Sequence, residues 1–401
     1  MAATMSDAPV SGLDPFSEDF LRDPYPAHEE LREAGPVVWL ERYGVWAMAR
    51  YGQVRPALND WETYRSGAGV GLADFTKEKP WRTPSLLLEA DPPEHSGARR
   101  TITGVLSPRR VRGLREAFQR EAEALVERLV DRGAFDGVAD FAEAFPTKVF
   151  PDAVGVPEEG RENLMAYGNM VFNAFGPRNQ LFEESAHGQD EVRDWIAAMC
   201  RRENLQAGGL GVDVYEHAPA VGLGTEEAGL LVRSLLSAGV DTTVHGLGNA
   251  LLCFATHPAQ WAKVHADPKL GRPSFDEVLR FESPVQTFFR TTARDVEVEG
   301  VRIPAGEKVL LFLGAANRDV RRWPEPDVFD VEHDARGHVG FGAGIHACVG
   351  QMLARLEAEV LLGALARRVA RIELDGAPEL KLNNTLRGFA RLPVRVHPAA
   401  S

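Results

Sequence analysis

The sequence predicts a mainly α-helical protein with small β-sheets, and three observations support this expectation. From about Arg99 onward, apolar side chains recur at helical spacing, whereas strand-like patterns are concentrated early, in residues 37–40 and 45–49. A long apolar segment, residues 225–257, has the length and pattern of a core helix. The composition, 44% hydrophobic and 26% charged, is that of an ordinary folded protein that can bury a large core.

The first elements along the chain are a helical start and a hairpin. A proline-punctuated helical stretch follows Phe16, and Tyr43-Gly44 then joins the two strand patterns as a β-hairpin. Residues 114–129 repeat apolar side chains at helical spacing and predict a helix. Residues 176–211 are polar, with scattered Gly and Pro, and predict shorter helices and a mobile loop.

Residues 225–257 predict the clearest helix of the chain. Thr225 can cap its start, two glutamates follow, and Pro258 ends it. At about 1.5 Å per residue it would span roughly 50 Å and run through the core. Its middle, residues 238–243, carries a glycine, an acid and two hydroxyl groups where packing favours Leu or Ala. Such residues weaken or bend a helix unless they serve another purpose.

The glycine-rich residues 341–350 precede another long helix, whose apolar stripe begins directly after Cys348. A thiol at a helix N-terminus meets backbone N–H groups and the positive end of the helix dipole, so we expect a lowered pKa for Cys348. The other two cysteines, Cys200 and Cys253, are predicted to be small buried hydrophobic residues. Cys348 is therefore the candidate for thiolate chemistry.

Charge and composition exclude several classes of protein. A net charge of -13 argues against a general nucleic-acid binder, which needs surplus Lys and Arg. Neither a signal peptide nor an 18-residue apolar stretch is visible, so we expect no membrane span. Three widely spaced cysteines fit a reducing cytoplasm. We expect one domain over residues 1–401, with a flexible N-terminus of about residues 1–13.

The loop around Cys348 resembles the cysteine-ligand loop of the cytochrome P450 family. The resemblance covers every fixed position of that loop, namely Phe341, Gly342, Gly344, His346, Cys348 and Gly350. It implies the cytochrome P450 fold, a triangular helical prism enclosing haem b, with Cys348 on the iron and Phe341 and Gly342 beside the haem. A thiolate ligand favours O–O cleavage, which implies a monooxygenase that uses O2. Gly342 and Gly344 would let the backbone pass close beneath the porphyrin.

Two further motifs of the family occur in the expected order. Glu277 and Arg280 fit its E-x-x-R element, an ion pair on one helix face that ties down the haem-binding core. The family usually adds a basic third arm as Arg, whereas this sequence has His333, and Arg318 or Arg336 can substitute.

The anomaly in the middle of the long helix resembles the A-G-x-D-T element of the family. The resemblance makes Asp241 and Thr242 an acid-alcohol pair, in which Asp241 brings protons from solvent and Thr242 passes hydrogen bonds to the oxygen being reduced. His245 stands one turn further on, where relatives more often carry Asn. It either alters the proton path or packs.

The haem propionates are buried anions that need cationic donors. By resemblance these donors are His95, Arg99, Arg290 and His346. His95 and Arg99 lie one helical turn apart, so one helix can present both.

A closer resemblance extends over nearly the whole chain and concerns the substrate. Residues 79–82, 171–177 and 281–292 look like soluble bacterial P450s that oxidise para-substituted benzoic acids by O-demethylation or hydroxylation. The resemblance implies a flat apolar slot with a polar far end. The matching substrate-binding positions are Arg82, Ser85, Phe172, Phe175, Ser234, Ser237, Ala238 and Phe288, with Arg233 as a weaker candidate.

Electrons for such enzymes come from NADH through a reductase and a [2Fe–2S] ferredoxin. Arg109, Arg110 and Arg112 can form a basic docking patch on an otherwise acidic protein. Two alternatives remain open, a haem-thiolate peroxygenase that uses hydrogen peroxide and a non-catalytic haem sensor. Neither would need the acid-alcohol pair of Asp241 and Thr242.

Overall fold

The computed structural model describes residues 8–399, and helices dominate it as the sequence predicts. The α-helices are α1 (Glu18–Arg22), α2 (Tyr25–Ala34), α3 (Tyr51–Asn59), α4 (Glu94–Val105), α5 (Pro108–Arg132), α6 (Pro146–Val154), α7 (Asn163–Asn173), α8 (Gln180–Ala186), α9 (Asp190–Met199), α10 (Leu210–His217), α11 (Thr225–Ala238), α12 (Asp241–Thr256), α13 (Pro258–Ala266), α14 (Gly271–Phe281), α15 (Leu313–Ala316) and α16 (Gln351–Arg368). The strands are β1 (Val10–Ser11), β2 (Val38–Leu40), β3 (Val45–Met48), β4 (Tyr64–Arg65), β5 (Ala134–Asp136), β6 (Thr287–Thr292), β7 (Val296–Val298), β8 (Val301–Ile303), β9 (Lys308–Phe312), β10 (Val369–Leu374), β11 (Glu379–Lys381), β12 (Gly388–Arg391) and β13 (Pro393–Pro398). A π-helical segment, Gly137–Glu143, follows β5.

The largest sheet has six strands in the order β1-β2-β3-β9-β6-β4. Strands β2 and β3 form the predicted hairpin, with Val38 opposite Ala47. Strand β9 is buried along its whole length, and its alternate residues enter two different apolar clusters because side chains of a strand alternate between the faces of a sheet. The sheet is thus covered on both faces and rigidly holds β6, which carries two predicted site residues.

The N-terminal segment is ordered where the structure describes it. Residues 1–7 lie outside the described residues. Val10 and Ser11 form β1, which pairs parallel with β2, and the Trp39 N–H donates to the Pro9 carbonyl at 2.9 Å. The open edge of β2 offers hydrogen bonds that this segment satisfies, and the flexibility expected up to about residue 13 stays a prediction.

Helices α5 and α16 lie side by side and run in the same direction. The ion pairs Arg115–Glu359 and Glu123–Arg367 join residues that are 244 positions apart in both cases. The start of α5 therefore lies level with the first turns of α16, directly after Cys348.

The predicted single helix over residues 225–257 consists of two helices, α11 and α12, separated at Gly239 and Val240. The Thr242 hydroxyl donates to the Ala238 carbonyl at 3.0 Å and so competes for the acceptor that would continue the helix. A Cβ on Gly239 would lie 2.1 Å from Cζ of Phe150, so the backbone passes very close to α6. Close packing and the hydroxyl together explain why the helix is interrupted.

The beginning of α11 also differs from the expectation. Its N-cap is Gly224, whose N–H donates to the Glu227 carboxylate at 3.0 Å, and Thr225 is the first helical residue. Glu227, the third residue of the helix, therefore supplies the capping acceptor that we expected from Thr225. Neither α11 nor any other helix within residues 8–399 combines the length and apolar character needed to cross a membrane.

Candidate active site

Cys348 lies at the end of a tight loop that leads into α16. Its N–H donates to the Phe341 carbonyl at 2.7 Å, and this bond closes the loop. Gly342 and Gly344 both have positive φ, at 65° and 67°, which favours glycine. A Cβ on Gly344 would lie 2.5 Å from the Leu58 carbonyl oxygen, so the closest neighbour of Gly344 is the end of α3.

The pKa of Cys348 is raised, contrary to the sequence prediction. Burial has the largest effect and raises it, whereas backbone N–H groups of Gly350 and Gln351 and the charges of Arg99 and Arg355 lower it. The helix N-terminus therefore acts in the expected direction but does not outweigh desolvation. A thiolate at this position needs a further positive charge, such as a metal ion.

A cluster of cationic and polar side chains faces the same interior region. His95 on α4 and His346 in the loop have ring centroids 4.4 Å apart. Arg290 on β6 is 3% exposed, and among residues 8–399 its one acceptor is the neighbouring backbone carbonyl of Phe289. Arg99, one turn after His95 on α4, donates to the Ala347 carbonyl at 2.6 Å.

Two ring nitrogens of this cluster have no hydrogen-bond partner in the described part of the chain. Nε2 of His95 and Nε2 of His346 are buried without a hydrogen-bond partner among residues 8–399, and the latter is 3.9 Å from Asp91. Burial lowers the pKa of His95 to about 4 and that of Arg290 to about 10, because desolvation of the charged forms outweighs the opposing charge of Asp91. A ligand that carries carboxylates would satisfy both observations.

These residues fit haem b on the chemistry of the donor set. A thiol that can ligate iron stands at one side, and donors without acceptors stand where carboxylates such as propionates would bind. Cys348 can hold the iron, and His95, Arg290 and His346 can hold the propionates. Arg99 contributes through the cysteine loop, whose backbone it binds.

Asp241 and Thr242 begin α12 at the helix interruption. Asp241 is 2% exposed, and both of its carboxylate oxygens are buried without a hydrogen-bond partner among residues 8–399. Nε2 of His245 lies 3.4 Å from Oδ1 of Asp241. Thr242 is less buried than the residues on either side of it.

The predicted aromatic residues do lie together. The rings of Phe172 and Phe175 meet edge to face, with centroids 5.7 Å apart, and Phe175 meets Phe288 at 5.8 Å. The Thr385 hydroxyl fixes the end of α7 by donating to the Phe172 carbonyl at 2.9 Å. A Cβ on Gly71 would lie 2.7 Å from Cα of Phe175, so another segment closes over this wall.

The predicted polar residues form a second group. The hydroxyl groups of Ser85 and Ser234 are 3.0 Å apart, and Ser237 donates to the Ser234 carbonyl at 3.3 Å. Arg233 donates to the carbonyl oxygens of Thr83 and Pro84.

Sequence reasoning missed an acid in this group. Glu89, 6% exposed, pairs with Arg82 at 3.1 Å and accepts from the Ser85 N–H at 2.7 Å. Burial raises the pKa of Tyr167, and this side chain lies close enough to Arg82 and Arg233 for their charges to lower it. The signal for Glu89 that the sequence offered was its position, four residues after Ser85 in a turn. Arg82 is therefore already paired with Glu89. The positive charge that Glu89 does not balance is that of Arg233.

The E-x-x-R pair is fully buried. Arg280 makes a two-bond contact with Glu277, both at 2.7 Å, and also donates to backbone carbonyls. His333 fills the third arm, with Nδ1 3.5 Å from Glu277. Arg318 instead pairs with Glu282 and Asp327, and Arg336 pairs with Asp334 at the surface, so neither substitutes.

Comparisons with known proteins agree with this geometry. A family profile described as Cytochrome P450 matches residues 272–396. Cytochrome p450 CYP199A2 of Rhodopseudomonas palustris is 53% identical over 98% of this chain and 95% of its own.

Solved structures have the same fold. Cytochrome P450 CYP109Q5 from Chondromyces apiculatus superposes with a TM-score of 0.81 at 31% identity, over 97% of this chain and 99% of its own. Cytochrome P450 CREJ, in complex with (4-ethylphenyl) dihydrogen phosphate, gives 0.84 at 28% identity, over 96% and 99%. The chain therefore belongs to the cytochrome P450 family and is a cytochrome P450 monooxygenase.

Proposed function

We propose that the enzyme inserts one oxygen atom of O2 into a small para-substituted aromatic carboxylic acid, by O-demethylation or hydroxylation. The observation that carries this proposal is that the aromatic wall and the hydroxyl and guanidinium cluster meet at one cavity, which Phe175 and Glu89 both line. Phe172, Phe175 and Phe288 suit a flat ring, and Ser85 and Ser234 suit a carboxylate.

Haem b, when bound, supplies the iron at which O2 is reduced. Cys348 would ligate it, and His95, Arg290 and His346 would donate to its propionates. Phe341 and Gly342 would shape the loop beneath it, and the cation of Arg355, 4.6 Å from the Phe341 ring centre, braces that loop from outside.

Asp241 and Thr242 would deliver protons. The Thr242 hydroxyl donates to the Ala238 carbonyl, which leaves its oxygen free to accept a hydrogen bond; when it turns away from Ala238 it would give up its own proton and take one from Asp241 in its place. Asp241 is buried, so it exchanges protons with solvent only when its side chain or a neighbour moves. A peroxygenase or a sensor has no use for this arrangement.

The charges at the polar end favour an anionic substrate. Two buried or half-buried arginines face one acid, Glu89, and the desolvated Arg233 has a lowered pKa, first because of burial and then because of Arg82. A substrate carboxylate would balance the second cation. The structural relative solved with (4-ethylphenyl) dihydrogen phosphate holds a para-alkyl ring with an anionic group, which is the same combination.

A paired titration tests the substrate class. The haem spin-state spectrum is followed while 4-methoxybenzoate or its carboxamide is added to the wild type, Arg233→Ala and Ser85→Ala. Each loss of a donor is expected to weaken acid binding by about 10- to 150-fold, or about 1.5–3 kcal/mol, and to affect the amide far less. Ser185→Ala, a buried serine that binds the Phe182 carbonyl elsewhere, is the matched control. Equal binding of acid and amide to the wild type would overturn the proposal.

We also propose that electrons from NADH arrive through a reductase and a [2Fe–2S] ferredoxin that docks near the cysteine loop. Arg109 and Arg112 are exposed at the start of α5, which lies level with the start of α16, whereas Arg110 is tied to Asp213. An open cavity of about 240 Å³ at the cysteine loop is lined by Phe341, Gly342 and Gln351, among others. An acidic partner fits this basic edge of an acidic protein.

Charge reversal tests the docking patch. Arg109→Glu with Arg112→Glu is expected to slow reduction of the haem and to flatten its dependence on salt. The control reverses Arg201 and Arg202, which are exposed after α9. Equal reduction rates in both double variants and the wild type would discard the patch.

The proposal also concerns the cellular compartment and the domain organisation of the enzyme. We infer that it works in the cytoplasm as one domain over residues 1–401. Support comes from Cys200, Cys253 and Cys348, which are all free thiols and fit a reducing compartment.

A further inference from the structure

Asp241 and His245 form an isolated buried pair on α12. They are 2% and 3% exposed, lie one helical turn apart, and approach to 3.4 Å between Oδ1 and Nε2. Within residues 8–399, neither oxygen of Asp241 nor Nε2 of His245 has a hydrogen-bond partner. A buried carboxylate without a donor is costly, and Nε2 is the donor within reach. A small side-chain rotation would bring the two atoms into hydrogen-bond contact.

The pair is enclosed by two glycines on other elements. A Cβ on Gly168 of α7 would lie 3.1 Å from Oδ2 of Asp241. A Cβ on Gly388 of β12 would lie 2.0 Å from Nδ1 of His245. The imidazole therefore presents Nε2 to the acid and Nδ1 to the β12 backbone, and larger side chains at these two glycines would displace the pair.

Two charged groups approach the pair from outside. Lys381 on β11 stands opposite Gly388 in the β11–β12 pairing, and Glu143 ends the π-helical segment. Burial lowers the pKa of His245; Asp241 opposes this effect, and Lys381 adds to it. Burial also raises the pKa of Glu143, with a contribution from Asp241. His245 is thus held neutral, with its own proton available for a hydrogen bond.

We propose that His245 is a positioning residue for Asp241, which its Nε2–H holds as a carboxylate in one orientation between proton transfers. This inference rests on the proposed role of Asp241 and Thr242. Asp241 takes one proton from water and passes one proton toward the Thr242 oxygen, and His245 keeps its own proton throughout.

Variants of His245 separate positioning from packing. His245→Leu removes the donor, so the Asp241 carboxylate loses the contact that holds it in one orientation. The amount of product formed per NADH and its pH profile should change accordingly, with kcat lowered several-fold and KM unchanged. His245→Gln, which keeps an N–H donor, should restore most of the wild-type profile. Unchanged profiles in His245→Leu would overturn the inference.

A second readout does not depend on turnover. With ¹⁵N-labelled histidine in the diamagnetic ferrous carbon monoxide form, His245 should carry its proton on Nε2. Asp241→Asn should shift that resonance and abolish any further effect of His245→Leu on the pH profile. A proton on Nδ1, or a spectrum unchanged by Asp241→Asn, would contradict the inference.

The same variants distinguish a failure of the proposed proton delivery from a failure of the positioning role of His245. If Asp241→Asn leaves product formation per NADH unchanged, the proposed proton delivery fails, and the positioning role fails with it. If Asp241→Asn impairs product formation while His245→Leu does not, only the role of His245 is wrong.

Discussion

The three cysteines differ in what surrounds each thiol. Burial raises the pKa of Cys200 to about 12 and that of Cys253 well above its ordinary value. Burial also raises the pKa of Cys348, and arginines oppose burial at all three thiols, but at Cys348 the backbone N–H groups of Gly350 and Gln351 oppose it as well. Cys348 therefore has the surroundings in which a bound cation can complete deprotonation, and the other two do not.

Thr242→Ala should separate substrate binding from oxygen chemistry. The hydroxyl lies at the helix interruption beside Asp241 and makes its hydrogen bond to Ala238. Without it, proton delivery is impaired, so the product formed per NADH should fall about tenfold or more while hydrogen peroxide accumulates. Substrate affinity should stay nearly constant. Measuring NADH, product and peroxide in one reaction checks this, and unchanged coupling would rule out the role.

Residues that belong to continuous motifs could be predicted from the sequence. Cys348, Asp241, Thr242 and the Glu277–Arg280 pair fall in patterns whose spacing is fixed by one loop or one helix. Glu89 could not be identified in this way, because its importance comes from contacts with Arg82 and Ser85 in a folded turn. The sign of the Cys348 pKa shift was wrong because the sequence does not give the depth of burial.

At the scale of elements, the interruption between α11 and α12 places the acid-alcohol pair. The sequence indicated an anomaly at residues 238–243 but predicted one continuous helix. The missing information was Phe150, which approaches Gly239 from α6. Such contacts between distant elements leave no local pattern.

Gly239→Ala should destabilise the protein by about 1–3 kcal/mol, because the new methyl group would overlap the Phe150 ring. The double variant Gly239→Ala with Phe150→Leu should recover part of the loss. Gly52→Ala in α3 is the control and should be neutral or slightly stabilising, because no atom of residues 8–399 outside its own turn of helix lies within 4 Å of the new Cβ. Chemical denaturation measures all three. Equal stability of Gly239→Ala and Gly52→Ala would contradict the packing argument.

The Glu277–Arg280 pair should dominate the stability of its helix, α14. Both side chains are 0% exposed, so Glu277→Gln or Arg280→Met leaves a buried charge unpaired and should cost about 3–5 kcal/mol. The exposed pair Asp190–Arg193 has the same spacing, and Asp190→Asn should change stability by less than about 0.5 kcal/mol. Equal effects at the two pairs in urea unfolding would refute the assignment.

At the scale of the whole molecule, the fold class could be predicted, but the pairing of elements could not. The hairpin of β2 and β3 is local and was correct. Strand β1 adds to β2 in parallel although its residues do not have a strand pattern. Helices α5 and α16 also pack in parallel, although they are far apart in sequence. Both depend on tertiary packing, which periodicity does not encode.

His28 should make the stability of the whole protein depend on pH. Burial, and then Arg32 and other nearby arginines, lower its pKa well below the ordinary 6.5. The unfolded chain therefore binds a proton below about pH 6.5 that the folded protein does not, so the unfolding free energy falls as the pH drops. His28→Phe should flatten this slope by up to about 1.4 kcal/mol per pH unit.

The check is urea unfolding between pH 7 and pH 5. Phe suits this site because His28 already packs edge to face against Phe20 and Phe312. His187→Gln, at an exposed residue, is the control and should keep the wild-type slope. A His28→Phe slope equal to that of the control would show that His28 does not contribute.

The central claim is that the thiolate of Cys348 holds the haem iron. The most direct measurement is the absorption spectrum of the ferrous carbon monoxide complex for the wild type, Cys348→Ser, Cys200→Ser and Cys253→Ser. We predict the red-shifted band of thiolate-ligated haem in the wild type and in the two control variants, and its loss in Cys348→Ser. A wild-type spectrum in Cys348→Ser would contradict the account.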